Sequence, residues 1–274
     1  MTRIRIARCR AQIGLLLAAI IGLQCKDCSG QIEAAQLRSL SRAGGQLGTS
    51  FDLQVKTGTH LEEVSELVFS NPRITAELKT TDPLPFSDHR LPLFGAFTVT
   101  VPQDILPGRY EVRTKGRHGL SNPRAFLVSP FPNKSPDAIS RDPATPTPLP
   151  LRTLMLSKAA SSEVEFFGLE IANGKRLQVE VFAQRLDSRC IGQLKLFGLD
   201  GREIASARGT DDLDPIMRTP ANLPAGHYVL AVHDFLFLGG DEYHYQLLAR
   251  DIDDASRSTS SADSSNAQPP DQPS

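Results

Sequence analysis

The chain is 274 residues long, with 30 Lys/Arg against 31 Asp/Glu, four cysteines and no tryptophan. Residues 31–250 carry 24 basic and 25 acidic side chains, with no basic stripe and no interleaving of aromatics with cations, which excludes a nucleic-acid-binding surface. That stretch can bury two cores of about 100 residues each, and it must do so without an internal disulfide, because Cys190 is its single cysteine.

The first thirty residues open with Arg3, Arg5, Arg8 and Arg10, continue through an apolar run from Ile13 to Leu23 and close on Cys28-Ser29-Gly30. A basic region, an apolar region and a small-residue cleavage site together read as a secretory signal peptide, 1–30. The apolar run is too short to span a bilayer, which takes about 20 residues, so the mature chain is expected to start near Gln31 and to carry no transmembrane helix. Lipidation is the poorer alternative, since Gln24 precedes Cys25 and Asp27 precedes Cys28; an uncleaved N-terminal anchor is the other. Cleavage removes five cations and one Asp, shifting the formal charge from -1 to -5.

From residue 36 to 129 the pattern is that of short strands. Phe51, Leu53 and Val55 alternate with polar residues, as do Phe97, Val99 and Val101, and then Tyr110 and Val112. Turn markers fall between these runs: Gly44-Gly45, Asn71-Pro72, Pro83 to Pro85, Pro107-Gly108 and Asn122-Pro123. The spacing predicts an immunoglobulin-like β-sandwich. Residues 130–150 contain seven prolines among Ser, Thr, Asp and Asn, a composition that predicts a fairly stiff, extended linker.

Alternation resumes over Val164 to Ile171, with Phe166 taken in phase, and is clear at Leu177, Val179, Val181 and Ala183. Further strands are expected at 193–197, 227–233 and 243–247, with turns at Asn173-Gly174, Asp200-Gly201, Ala225-Gly226 and Gly239-Gly240. Residues 151–250 therefore read as a second all-β unit. The remaining segment, 251–274, is Ser, Asp, Pro and Gln with almost no apolar residue, a composition that predicts disorder.

The segment Val179 to Asp200, followed by Gly201-Arg202-Glu203, Leu213-Asp214-Pro215, Gly226-His227-Tyr228 and Gly239-Gly240-Asp241-Glu242-Tyr243, resembles the bacterial pre-peptidase C-terminal domain. That resemblance implies a jelly-roll-like sandwich of the kind appended to secreted proteases and other exported proteins. Gly44 to Thr49, Glu66 to Ser70 and Gly119 to Phe126 resemble the domain preceding it in many planctomycete-type exported proteins. Two departures weaken a family-type calcium site: the linker reads Asp142-Pro143-Ala144 where an acidic Glu-Pro-Asn entry is usual, and Glu163-Val164-Glu165 stands where Asp-x-Asp is usual.

Asp200, Asp211, Asp212 and Asp214 form the acidic cluster best suited to a cation, and calcium, which takes several oxygen ligands from a turn, would be the ion. The spacing is not that of an EF-hand, and a solvated acidic turn is the plainer reading; no other cofactor is indicated. His227 and His233 share a strand face about 20 Å apart, too far for one metal. His233-Asp234 and His244 are placed to meet across a hairpin, yet neither a nucleophile elbow nor an H-E-x-x-H helix accompanies them. Cys190 is expected to be buried and inert. Tyr243 and Tyr245 share one strand face, where core packing is the simplest account and a sugar-stacking platform the sharper one. Arg113, Lys115, Arg117 and His118 read as a solvated hairpin end.

These features predict an exported, non-catalytic binding or scaffolding protein, at the cell surface, in the periplasm or outside the cell, whose partner is an envelope or matrix component or a secreted protein. The alternatives are an accessory of a secreted peptidase or other hydrolase, and a calcium-dependent binding module.

Overall fold

The computed structural model describes residues 33–83, 88–173, 175–198, 200–210, 213–221 and 223–252. The expected signal peptide and the expected disordered tail beyond residue 252 lie outside these residues. No helix among the described residues is long and apolar enough to cross a membrane. The protein is all-β: two sandwiches, in which a short 3₁₀ turn, Gln184–Leu186, is the one helical element among the described residues.

The first sandwich comprises β1 (Gln36–Leu40), β2 (Gly44–Gln46), β3 (Thr49–Thr59), β4 (Glu66–Phe69), β5 (Thr75–Thr80), β6 (Pro92–Val101), β7 (Gly108–Gly116), β8 (Gly119–Leu120) and β9 (Arg124–Ser129). One sheet runs β1-β3-β6-β5 and the other β2-β9-β7-β4, with β8 on β7. In chain order this is an A-B-E-D sheet facing a C-F-G sheet, and the second half of the split first strand, β2, pairs parallel with β9. That arrangement is the immunoglobulin topology. Leu53, Phe97, Val99, Val101, Val112 and Phe126 are fully enclosed between the sheets, which places the alternating residues of the sequence on the inner faces as their period requires.

Gly44-Gly45, expected as a turn, is instead the strand β2. A Cβ on Gly44 would lie 2.3 Å from the carbonyl oxygen of Leu127, and one on Gly45 would lie 2.4 Å from the Phe51 ring. The glycines serve close backbone approach here, not a reversal of the chain.

The second sandwich comprises β10 (Asn133–Lys134), β11 (Thr147–Pro148), β12 (Leu154–Lys158), β13 (Glu165–Ile171), β14 (Leu177–Phe182), β15 (Gly192–Phe197), β16 (Glu203–Arg208), β17 (Ile216–Arg218), β18 (Gly226–Asp234) and β19 (His244–Asp251). Its sheets run β10-β12-β19-β14-β17 and β11-β13-β18-β15-β16. Counting from β12, the eight long-range strands stand in the order 1-8-3-6 over 2-7-4-5, the two interlocked Greek keys of a jelly roll.

Two readings need correction. The proline-rich stretch is extended but does not hang between domains: β10 and β11 pair parallel with β12 and β13, and Ile139 and Leu149 are buried in the second core. Two aliphatic anchors among seven prolines are invisible to a compositional reading. In β13 the buried phase is Glu165, Phe167, Leu169 and Ile171, with Phe166 only half-buried. The inward position at the start of this strand is held by a carboxylate, which shifts the apparent alternation by one residue.

Each sandwich closes on the same device. The Tyr110 hydroxyl donates to the Leu106 carbonyl at 2.7 Å, and the Tyr228 hydroxyl donates to the Pro224 carbonyl at 2.7 Å. Both are tyrosine corners, in which a strand-initial Tyr ties down the chain entering its strand. Tyr228 is buried, so Tyr228→Phe is expected to lower stability by about 1 kcal/mol in guanidinium unfolding with an unchanged denaturant slope.

Candidate functional site at the junction of the sandwiches

The sheet β12-β19-β14 presents two faces. Tyr245, Leu247 and Ala249 point into the jelly-roll core, while Leu154, Leu156, Leu248 and Phe182 point outward and are covered by Leu127 and Phe131 from the end of the first sandwich. Ala43 and Ala125 pack beside them on Leu186. A sheet with both faces buried is expected to lose its polar alternation; β14 keeps it, so that Gln178 and Glu180, like Gln246 of β19, become buried polar residues.

Asp214 fixes this junction. Its side chain is fully enclosed and accepts the backbone N–H of Ala183 at 2.9 Å, Gln184 at 2.8 Å and Arg185 at 3.2 Å, together with Arg185 Nε at 2.9 Å. It therefore caps the 3₁₀ turn from a distant part of the chain, where Ala183 itself offers no capping side chain. The turn ends at Asp187 in the left-handed region (φ 59, ψ 22). The Asp187 carboxylate then accepts Ala125 N–H at 2.7 Å and Arg109 Nη2 at 3.3 Å from the first sandwich. Glu242 adds a second bridge, 3.7 Å from Arg38 and 3.5 Å from Arg189.

Of the four aspartates expected to hold calcium, Asp200 and Asp214 are among the described residues, and each engages its carboxylate locally. Asp214 spends its carboxylate on the turn. Asp200 is exposed and caps its own bend, accepting Arg202 N–H at 3.1 Å. Asp211 and Asp212 lie outside the described residues. The histidine pair is corrected too: His233 is on β18 and His244 on β19, strands of opposite sheets, because the chain crosses the sandwich between them. His233 stacks on Phe237 at 4.4 Å. Cys190 is 1% exposed and burial pushes its thiol far up. Tyr243 and Tyr245 belong to the core, so they make no exposed platform. Arg113, Lys115, Arg117 and His118 face Glu111, Glu66, Glu63 and Glu62, which neutralises that hairpin end.

Beside the covered apolar face the two sandwiches leave a cleft of about 570 Å³. Leu40, Arg42 and Lys56 of the first sandwich form one wall; Lys158, Glu165 and Gln246 of the second line the other. Arg42 donates through Nε to the Gly44 carbonyl at 2.9 Å and lies over Phe51; burial lowers its pKa to about 10. Lys158 pairs with Asp241 at 2.6 Å.

On the second wall Glu165 is buried and accepts the hydroxyls of Tyr245 and Ser157. Desolvation raises its pKa, outweighing those hydrogen bonds, and burial raises that of Tyr245. His244, beside the Leu186 carbonyl at 3.2 Å, is pushed down by burial. Gln246 is 2% exposed, and neither its amide oxygen nor its amide nitrogen has a protein hydrogen-bond partner. In a strand reading Tyr-Gln-Leu it looks like an ordinary outward polar residue; only the first sandwich, folding over it, makes it a buried one. The pocket wall thus holds a donor and an acceptor unsatisfied by the protein, next to a carboxyl that resists ionisation. Such a wall can bind a neutral, hydroxyl-bearing group.

No protein-family profile and no curated protein sequence matches the chain. Among solved structures it is similar to a surface glycan-binding protein (SGBP-B) of Bacteroides ovatus in complex with a mixed-linkage heptasaccharide, at 11% identity over 78% of this chain and 53% of that one, TM-score 0.26. It is also similar to the secreted serine protease VesC of Vibrio cholerae, at 11% identity over 81% and 51%, TM-score 0.27, and to SGBP-B of Bacteroides uniformis, at 8% identity over 80% and 73%, TM-score 0.22. The chain spans about half the length of the first two. At these scores the likeness carries nothing about ligand or activity.

Asp214→Ala would leave three backbone N–H groups and Arg185 Nε without their acceptor, while Glu180 and the Val181 carbonyl still hold the rest of the guanidinium, so it is expected to cost about 3 kcal/mol and to loosen the Ala125 amide, readable by hydrogen exchange. Glu165 binds its proton more tightly folded than unfolded, so its contribution to stability is present below about pH 4.5 and is lost as pH rises through the folded pKa. Glu165→Gln should flatten that part of the melting-temperature profile and leave the variant at least as stable as the parent at pH 7.

Proposed function

We propose that this is an exported, non-catalytic binding protein that takes a polar, hydroxyl-rich segment of an envelope or matrix glycan into the cleft between its two sandwiches. The observation that carries the reading is Gln246, a buried amide on the cleft wall with no protein partner for either of its polar atoms. A buried, unsatisfied donor and acceptor each cost about 1–3 kcal/mol, and a ligand hydroxyl, which both donates and accepts, recovers that cost on binding. Lys158 and Lys56 also line the cleft and offer further donors, and burial raises the pKa of Glu165, which disfavours its charged form.

Three features support the remaining parts of the proposal. The basic and apolar N-terminal run fits export, and the single cysteine of residues 31–250 leaves the stability of that stretch to core burial. The 1-8-3-6 over 2-7-4-5 order of the second sandwich supports reading it as a pre-peptidase C-terminal domain. A non-catalytic role is supported by the separation of His233 from His244 and by the burial of the Cys190 thiol. Contact with a surface is favoured by the loop Phe235 to Leu238, whose four apolar side chains are 39–61% exposed. Asp234 holds that loop, accepting the N–H groups of Leu236 and Leu238 at 3.0 Å each.

Gln246→Leu keeps the volume, removes the unsatisfied amide and is expected to raise stability by about 1 kcal/mol while abolishing ligand uptake. Co-sedimentation of the full chain with the cell-envelope polysaccharide of its source, in calcium and in chelator, checks this. Saturable binding by the parent with at least about tenfold weaker binding by Gln246→Leu supports the cleft; equal binding by both, or none by the parent, contradicts it.

A further inference from the structure

We infer that His60, Glu62 and His118 form a zinc site at one end of the immunoglobulin-like sandwich. His60 follows the last residue of β3, Glu62 stands in the β3–β4 loop and His118 in the turn between β7 and β8. One ligand atom from each of the three lies within 4.8 Å of the other two. His118 Nε2 is already 3.1 Å from Glu62 Oε2, and the two imidazoles are tilted at 54° with centroids 5.2 Å apart, so they converge edge on instead of stacking face to face.

Zinc bonds of about 2.0–2.1 Å in tetrahedral geometry put neighbouring ligand atoms about 3.4 Å apart. The Glu62–His118 edge is close to that distance now, and the His60 ligand atom lies within 4.8 Å of both. The backbone beneath is fixed. Arg117 N–H donates to the Glu62 carbonyl at 3.2 Å and Ser65 N–H donates to the Lys115 carbonyl at 3.1 Å. A Cβ on Gly116 would lie 2.9 Å from the Glu62 carbonyl oxygen, so only glycine lets the two loops touch. His60 itself is a non-glycine residue at φ 55, a conformation that aims its side chain at the turn and is uncommon enough to invite a functional account.

Chemistry selects the metal. Two imidazoles and one carboxylate suit zinc, with copper(II) and nickel(II) as competitors, and do not suit calcium, which takes oxygen ligands only. Nearby charges are internally paired, Lys115 with Glu66 at 2.6 Å and Arg117 with Glu63 at 4.0 Å, so the site carries the single negative charge of Glu62 into the complex. Three protein ligands leave a fourth position for water or for a donor from a partner. The bound ion would tie the β3–β4 loop to the β7–β8 turn. This site is independent of the junction cleft and of the calcium cluster read from the sequence.

Calorimetric titration of the full chain with zinc chloride tests the inference. The expected result is one zinc per chain, a higher melting temperature with zinc than with chelator, and binding weakened at least about tenfold in His118→Ala, Glu62→Gln and His60→Asn. Asparagine is chosen at position 60 because it tolerates the left-handed backbone. Histidine side-chain nitrogen spectra give a readout independent of variant folding: zinc should shift two imidazoles, and the same two resonances should be the ones missing from His60→Asn and His118→Ala. Absence of binding at about 0.1 mM zinc, far above the affinity of built zinc sites, overturns the proposal, as does binding of equal strength in the three variants.

Discussion

Asp214 accepts three backbone N–H groups and a guanidinium in a space closed to water, and the relation between the two sandwiches follows from that one carboxylate. A buried charge survives only where hydrogen bonds replace its hydration. Here the bonds replace those of a 3₁₀ turn that no local residue caps. The turn delivers Asp187 in a left-handed conformation, and Asp187 reaches across to the Ala125 amide. A chain of two aspartates thus converts a loop of the jelly roll into a hook on the immunoglobulin-like sandwich. The apolar contacts of Leu127, Phe131, Leu154, Leu156 and Leu248 supply the attraction that the hook orients.

The same contact creates the site. Gln246 stands on the outer face of its sheet, where the first sandwich covers it and leaves a buried amide without protein partners; Glu165 faces into the jelly roll beside Tyr245, a carboxyl whose pKa burial raises. Both are unfavourable features for stability, and Gln246 is the one residue among the described buried side chains whose amide lacks a protein partner at both its donor and its acceptor. The cleft walls come from both sandwiches, so the recognition surface exists only while they keep their mutual position.

Most of the architecture was legible in the sequence. Alternation at Phe97, Val99 and Val101 and at Leu177, Val179 and Val181 marked true inner faces, and the two-sandwich, all-β reading holds in the strand orders. What was not legible depended on contacts distant in sequence. The Gly44-Gly45 pair looked like a turn because its reason, the approach of Leu127 and Phe51, lies far along the chain. Glu165 hid the phase of β13 because a buried acid reads as a surface residue. Asp214 looked like a cation ligand because an acidic turn shows its charge but not its partners. His60 and Glu62 went unnoticed for a related reason: a His-x-Glu step has meaning only once the β7–β8 turn places His118 above it, although that histidine had already stood out beside its basic neighbours.

The central claim is that the two sandwiches form one body with the cleft built into their joint. Scanning calorimetry of the full chain at neutral pH tests it most directly. A single transition whose calorimetric and van't Hoff enthalpies agree is the predicted result, with Asp187→Ala splitting it in two. Two resolved transitions in the parent protein, each of the size expected for one sandwich, would contradict the account.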